Sequence, residues 1–132
     1  MYKLIKKNDG FTLIELLAVL IIVAILAAVS APIYIQYVKS ARAADAQTTI
    51  GAILTAEKVH FQKFDSYTAN LDELDLQIDD AAKLKWTFDV GASGENLTNI
   101  QATSTEEMAG GSGKVITYDV KTGKFHGYGL DE

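Results

Sequence analysis

The sequence predicts an α+β chain: a long N-terminal α-helix whose first half is transmembrane, packed against a small C-terminal antiparallel β-sheet. Three observations predict it. Residues 11–31 carry no charge except Glu15. Helix formers then dominate from Tyr34 to Phe64. Beyond them, short strand candidates alternate with glycine-rich connections.

At about 1.5 Å rise per residue, some 20 helical residues cross the roughly 30 Å hydrocarbon core, so 11–31 is long enough to span it. Lys3, Lys6 and Lys7 precede the run, which places the N-terminus in the cytoplasm. A carboxylate inside such a segment costs about 2.5–3.5 kcal/mol on insertion scales and usually has a partner. No cation lies within 11–31. Cleavage after Gly10 would create one, the amino group of Phe11. Phe11 and Glu15 are four residues apart, one turn on the same helix face. The amine that meets Glu15 therefore comes from this chain or from a neighbour.

Pro32 is the only proline. Within a helix it removes the bond to the carbonyl of Ala28, so a kink is expected there. Ile50, Ile53, Leu54, Phe61 and Phe64 fall on one stripe at helical spacing, extended by Ala43 and Ala46. Glu57 interrupts that stripe and reads as a snorkelling or ion-paired carboxylate at its edge. Asp65 to Asn70 are turn formers and end the helix. Residues 71–80 read as an acidic loop or short helix. Strands are expected at 84–90, 97–103, 114–120 and 124–129, with Gly91–Gly94 and Gly110–Gly113 as punctuation. Lys121-Thr122-Gly123 should close a hairpin between the last two. Trp86, Phe88, Val90, Val115, Tyr118 and Phe125 are the candidate sheet residues. The 68 residues after the helix make a marginal core alone and should pack on the preceding helix. The organisation is thus a leader at 1–10, an apolar helix at 11–31, an amphipathic continuation at 32–64 and a head at 65–132.

The 132-residue chain has net charge −5 and no cysteine. Its first ten residues hold three lysines and one aspartate, net +2, so the remainder carries −7. No basic groove for nucleic acid is expected from that balance. Without cysteine the C-terminal region relies on strand pairing and packing rather than on a disulfide.

No catalytic constellation is visible. Gly113-Lys114 would be a phosphate loop only with glycine at Met108 and a hydroxyl at Val115. Ser93 lacks the second glycine of a nucleophile elbow. His60 and His126 stand apart, and no thiol or paired histidine offers metal spacing. The acidic run 72–80 lacks the ordered calcium-loop spacing and reads as a solvated face. Asn96-Leu97-Thr98 is a formal glycosylation sequon of weak weight.

The basic leader ending in Gly10, followed by Phe11-Thr12-Leu13-Ile14-Glu15-Leu16-Leu17 and an apolar helix through Pro32, resembles the prepilin N-terminus of type IV pilins and pseudopilins. An ordinary secretory signal ending near Ala31 would have a shorter apolar core and no internal carboxylate. A plain membrane anchor explains neither Glu15 nor the Gly10–Phe11 junction. The resemblance implies the pilin fold, cleavage between Gly10 and Phe11 by a prepilin peptidase, and N-methylation of Phe11. It implies that Phe11 and Glu15 serve subunit assembly, and that the Pro32 region bends or melts in the filament. It implies no cofactor, metal or enzymatic activity. The implied partners are copies of the chain in a helical filament, minor pilins and an assembly platform. The implied location is the bacterial inner membrane, single-pass, before an extracellular pilus. The second implied role is a pseudopilin in the periplasmic filament of type II secretion. The aromatics Phe11, Tyr34, Tyr37, Phe61, Phe64 and Tyr67 evoke pilins proposed to carry electrons, but boundary and packing roles account for them.

Overall fold

The computed structural model describes residues 9–130; most of the expected leader, 1–8 with its three lysines, lies outside the described residues. The chain divides into two compact units between Ile35 and Gln36. The element order is α1 (Leu13–Phe64), a 3-10 turn (Leu71–Glu73), α2 (Asp80–Lys85), β1 (Trp86–Ser93), β2 (Asn96–Ser104), β3 (Val115–Asp119) and β4 (Lys124–Gly127). A long N-terminal helix followed by a four-stranded antiparallel sheet is the α+β arrangement the sequence predicts.

In the first unit every α1 residue from Leu13 to Ile35 is exposed, although the stretch is almost wholly apolar. Its most apolar 18-residue window has mean hydropathy 2.9 and buries nothing. A helix apolar on all sides needs lipid or other helices around it, because water on every face would forfeit the burial that drives folding. Helical assignment continues through Pro32. Ser30 Oγ donates to the Leu26 carbonyl at 2.7 Å, which satisfies its hydroxyl without leaving the helix.

The second unit has one core. Its sheet is a meander in the order β1-β2-β3-β4, all antiparallel. Trp86 and Val90 of β1, Ile100 and Ala102 of β2 and Ile116 of β3 are buried together with Ala43, Ala46, Ile50, Ile53 and Ala56 of α1. The α1 positions recur at three- and four-residue steps, the spacing of one helical face. Alanines at 43, 46 and 56 add no long side chains to that face. Leu74 and Met108 close the core from the connecting segments.

Several details depart from the sequence reading. Val115 is a sheet residue as expected, at the start of β3, but it is 38% exposed, and its neighbour Ile116 is the fully buried one. Phe64 is 64% exposed and leaves the apolar stripe, whereas Phe61 is half-buried against Tyr67, ring centroids 4.6 Å apart. Leu84 and Lys85 end α2 rather than beginning a strand. Asp79 caps α2, accepting from the Ala81 N–H at 3.4 Å. Gly91 does not break β1; the register shifts between Gly91 and Ala92, a bulge, and the strand runs on to Ser93. The turn falls at Gly94-Glu95, with Gly94 at φ 58°. Lys121-Thr122-Gly123 does connect β3 to β4: the Thr122 N–H donates to Asp119 Oδ1 at 2.9 Å, the Gly123 N–H to the Asp119 carbonyl at 2.8 Å. The Thr122 N–H also holds the Asp119 carboxyl below its ordinary value, against a smaller opposing effect of desolvation.

Candidate functional site: the N-terminal assembly element

Gly10, Phe11 and Thr12 precede the first residue of α1 and are exposed, Phe11 at 84%. Thr12 is the N-cap. The Glu15 N–H donates to Thr12 Oγ1 at 3.3 Å, and the Thr12 N–H donates to Glu15 Oε2 at 2.8 Å. This is a capping box: each residue satisfies a backbone donor of the other at a helix end that would otherwise leave donors free. Glu15 also lies in the first turn, where the positive end of the helix dipole favours a carboxylate.

Glu15 therefore has a role within its own chain that the sequence reading did not assign. The signal was present, since Thr12-x-x-Glu15 ahead of an apolar run is the capping-box pattern. The box uses Glu15 Oε2; no bond to Oε1 is formed among the described residues. Phe11 and Glu15, expected to cooperate, both sit at the helix entrance, and the Gly10–Phe11 junction stands outside the helical hydrogen-bond ladder. A peptide bond outside the ladder needs no helix unwinding to enter a protease site. Pro32, the expected kink, lies 20 residues after the cap and remains helical.

Glu57 departs from the sequence reading. It is fully buried and is neither ion-paired nor snorkelling. Its Oε2 accepts the Thr68 N–H at 3.1 Å, while Oε1 has no partner. Burial pushes its carboxyl above the ordinary range, with the Thr68 N–H and the charge of His60 acting in the opposite direction. Nothing in its sequence neighbourhood announced this, because the bond partner lies eleven residues away across the end of the helix.

Among the described residues, no three His, Cys, Asp or Glu side chains group as a metal site. An open cleft of about 430 Å³ beside the end of α1 is lined by Val59, His60, Lys63, Phe64, Glu73 and Leu76 among others. Thr55 also lines the cleft, and its hydroxyl donates to the Gly51 carbonyl at 3.0 Å.

The site is thus a capped, apolar N-terminal helix with an exposed Gly10–Phe11 junction, in a chain whose C-terminal part carries a small antiparallel sheet. Residues 5–31 match the family described as the prokaryotic N-terminal methylation motif. The type IV major pilin protein PilA of Myxococcus xanthus (strain DK1622) is 38% identical over 68 residues, 52% of this chain. The matched region spans 31% of the length of that relative. No solved structure gives a significant match. Both findings are likenesses to type IV pilins, carried by part of the chain.

Proposed function

We propose that this chain is a structural subunit of a type IV pilus. It inserts into the bacterial inner membrane with its N-terminus in the cytoplasm, is cleaved between Gly10 and Phe11, is N-methylated at Phe11 and polymerises through α1. The observation that carries this reading is the conjunction of a prepilin motif with a helix exposed and apolar on every face. Before assembly, lipid covers that helix. In the filament, equivalent helices cover it, and Ala18, Ala24, Ala27 and Ala28 permit close backbone approach.

Glu15 supplies register. Cleavage exposes an amine at Phe11, and a neighbouring subunit's amine meets the Glu15 carboxylate as the helix leaves the bilayer. Pairing a charge in an apolar setting is worth more than in water, so a misplaced subunit leaves both groups unpaired. Pro32 marks where the helix bends as it moves from lipid to filament. A prepilin peptidase and an assembly platform are the required partners, with minor pilins as further ones.

The test uses filaments sheared from the native host. Intact mass and N-terminal sequencing should find this chain beginning at methylated Phe11. Processed chain confined to the membrane would favour a pseudopilin of type II secretion instead. A chain beginning at Met1 in filaments would remove processing from the account.

A further inference from the structure

The segment between the end of α1 and the core-anchored Leu74 is held to α1 by two side chains, His60 and Glu57. His60 Nδ1 lies 2.7 Å from the Ser66 carbonyl oxygen and donates to it. Glu57 Oε2 accepts the Thr68 N–H at 3.1 Å. Between them, the Tyr67 N–H donates to the Gly94 carbonyl at 2.7 Å, and the Tyr67 ring stacks on Phe61. Ser66, Tyr67 and Thr68 thus form a strap whose backbone is tied to two elements. The two α1 ties differ in what a proton does to them. His60 Nδ1–H donates whether the ring is neutral or charged. Glu57 is different: its Oε1 is buried and bonded to nothing, so the ionised form lies in a site with one donor for two oxygens.

We propose that Glu57 is the catch of a pH-sensitive strap, residues 65–73: the strap is closed on α1 while Glu57 is protonated and opens when Glu57 ionises. Ionisation strengthens the single bond from Thr68 but leaves Oε1 without a protein donor. Lifting the strap hydrates the carboxylate. The charged and titratable groups tied to the site are His60 on α1 and, through Thr68, Glu73 on the 3-10 turn. Glu73 Oε2 accepts the Thr68 hydroxyl at 2.6 Å, so it bears on Glu57 through the same residue. Among the described residues no lysine or arginine bonds either Glu57 oxygen. Desolvation favours the neutral form, while the Thr68 N–H and the charge of His60 oppose it.

Burial raises the carboxyl of Glu57, which sets the sign. Stability from a raised carboxyl is complete below its ordinary range and lost as pH rises through the raised value. Leu74 is buried in the core and Phe64 ends α1, so opening is confined to the residues between them. The proposal concerns the head alone and stands whether or not the chain polymerises.

The test is amide hydrogen exchange on the full chain in detergent micelles, from about pH 4 to about pH 8, corrected for intrinsic exchange and referenced to the amides of Ile100 and Ala102. Protection at Tyr67 and Thr68 should fall by about tenfold or more across that range while the reference amides hold. In Glu57→Gln the fall should disappear, since the amide oxygen still accepts from Thr68 and cannot ionise. Protection that is flat in the wild type, or that falls equally in the variant, would overturn the proposal. Should the variant fold poorly, the carbon-13 shift of the wild-type Glu57 carboxyl decides. Titration in the ordinary carboxylate range overturns the proposal; titration above it, in step with the loss of protection, supports it.

Discussion

Ser40 and Gly129, eighty-nine positions apart, are joined by a hydrogen bond: Ser40 Oγ donates to the Gly129 carbonyl at 2.8 Å. Gly129 has φ 75°, and a Cβ there would run into the carbonyl oxygen of Lys39 and approach the Ala43 side chain. The C-terminal segment thus lies directly on the backbone of α1 where the head begins. Contact of this kind secures the end of the sheet in a chain that has no cysteine.

Gly129→Ala should therefore be costly, through both the left-handed backbone and the clash. A loss of about 1–3 kcal/mol is expected. Ser40→Ala removes one part-buried bond and should cost about 1 kcal/mol. Thermal unfolding of the full chain in detergent would rank the two, with the glycine variant the less stable. Equal stability of Gly129→Ala and wild type would mean that the close approach is not present in solution.

The Thr12–Glu15 box separates two roles of one carboxylate. Glu15→Gln keeps an acceptor at N3, so the box should persist, but it removes the charge that would pair with an amine. Thr12→Ala removes the N-cap acceptor and should cost about 0.5–2 kcal/mol of local helix stability. The expected pattern is that Glu15→Gln abolishes filament yield while amide protection at Glu15 and Leu16 is retained. Thr12→Ala should lower that protection and still permit some assembly. Filament yield at the wild-type level in Glu15→Gln would show that capping is the whole role of this residue.

Asp65 adopts φ 53°, the one non-glycine residue with positive φ among those described. It sits just past the end of α1, and its N–H donates to the Phe61 carbonyl at 2.8 Å. Glycine is the usual residue there, since an L side chain is strained in this conformation. Asp65→Gly should stabilise the head by about 0.5–1 kcal/mol. A rise in melting temperature checks it, and a fall would show that the side chain holds the turn.

The β3–β4 turn has its own acid limit. The Asp119 carboxyl is held below its ordinary value chiefly by the Thr122 N–H. A lowered carboxyl contributes stability above its unfolded value, and that contribution is lost as pH falls through the folded value. Exchange protection at Thr122 should thus decline on acidification, opposite to the strap at Thr68. Asp119→Asn should flatten that dependence. A protection profile at Thr122 that rises toward acid pH would contradict the assignment.

Comparison of individual residues shows which parts were legible beforehand. The run 11–31, Glu15 near its front and the Gly10–Phe11 junction form a local pattern, and helix formation with all-round exposure follows from composition alone. Four strands and the turn at 121–123 were legible because glycine and period-two alternation are also local signals. The capping box is local too, since Thr12 and Glu15 are three residues apart. By contrast, both Val115 and Ile116 satisfy a strand pattern, and only pairing of Ala102 with Ile116 across β2 and β3 puts Ile116 inside. Phe64 matched the helical stripe but falls where the core has ended.

The sequence by itself thus determined the N-terminal element, whose chemistry lies within about one turn of helix and needs no distant partner. Tertiary structure alone decided the head: that Glu57 is sealed beneath Thr68 with one oxygen unpaired, and that Gly129 must be glycine because Lys39 lies against it. The physical reason is separation along the chain. Periodicity reports which face a residue occupies, whereas burial of a particular atom depends on backbone arriving from eleven or eighty-nine positions away.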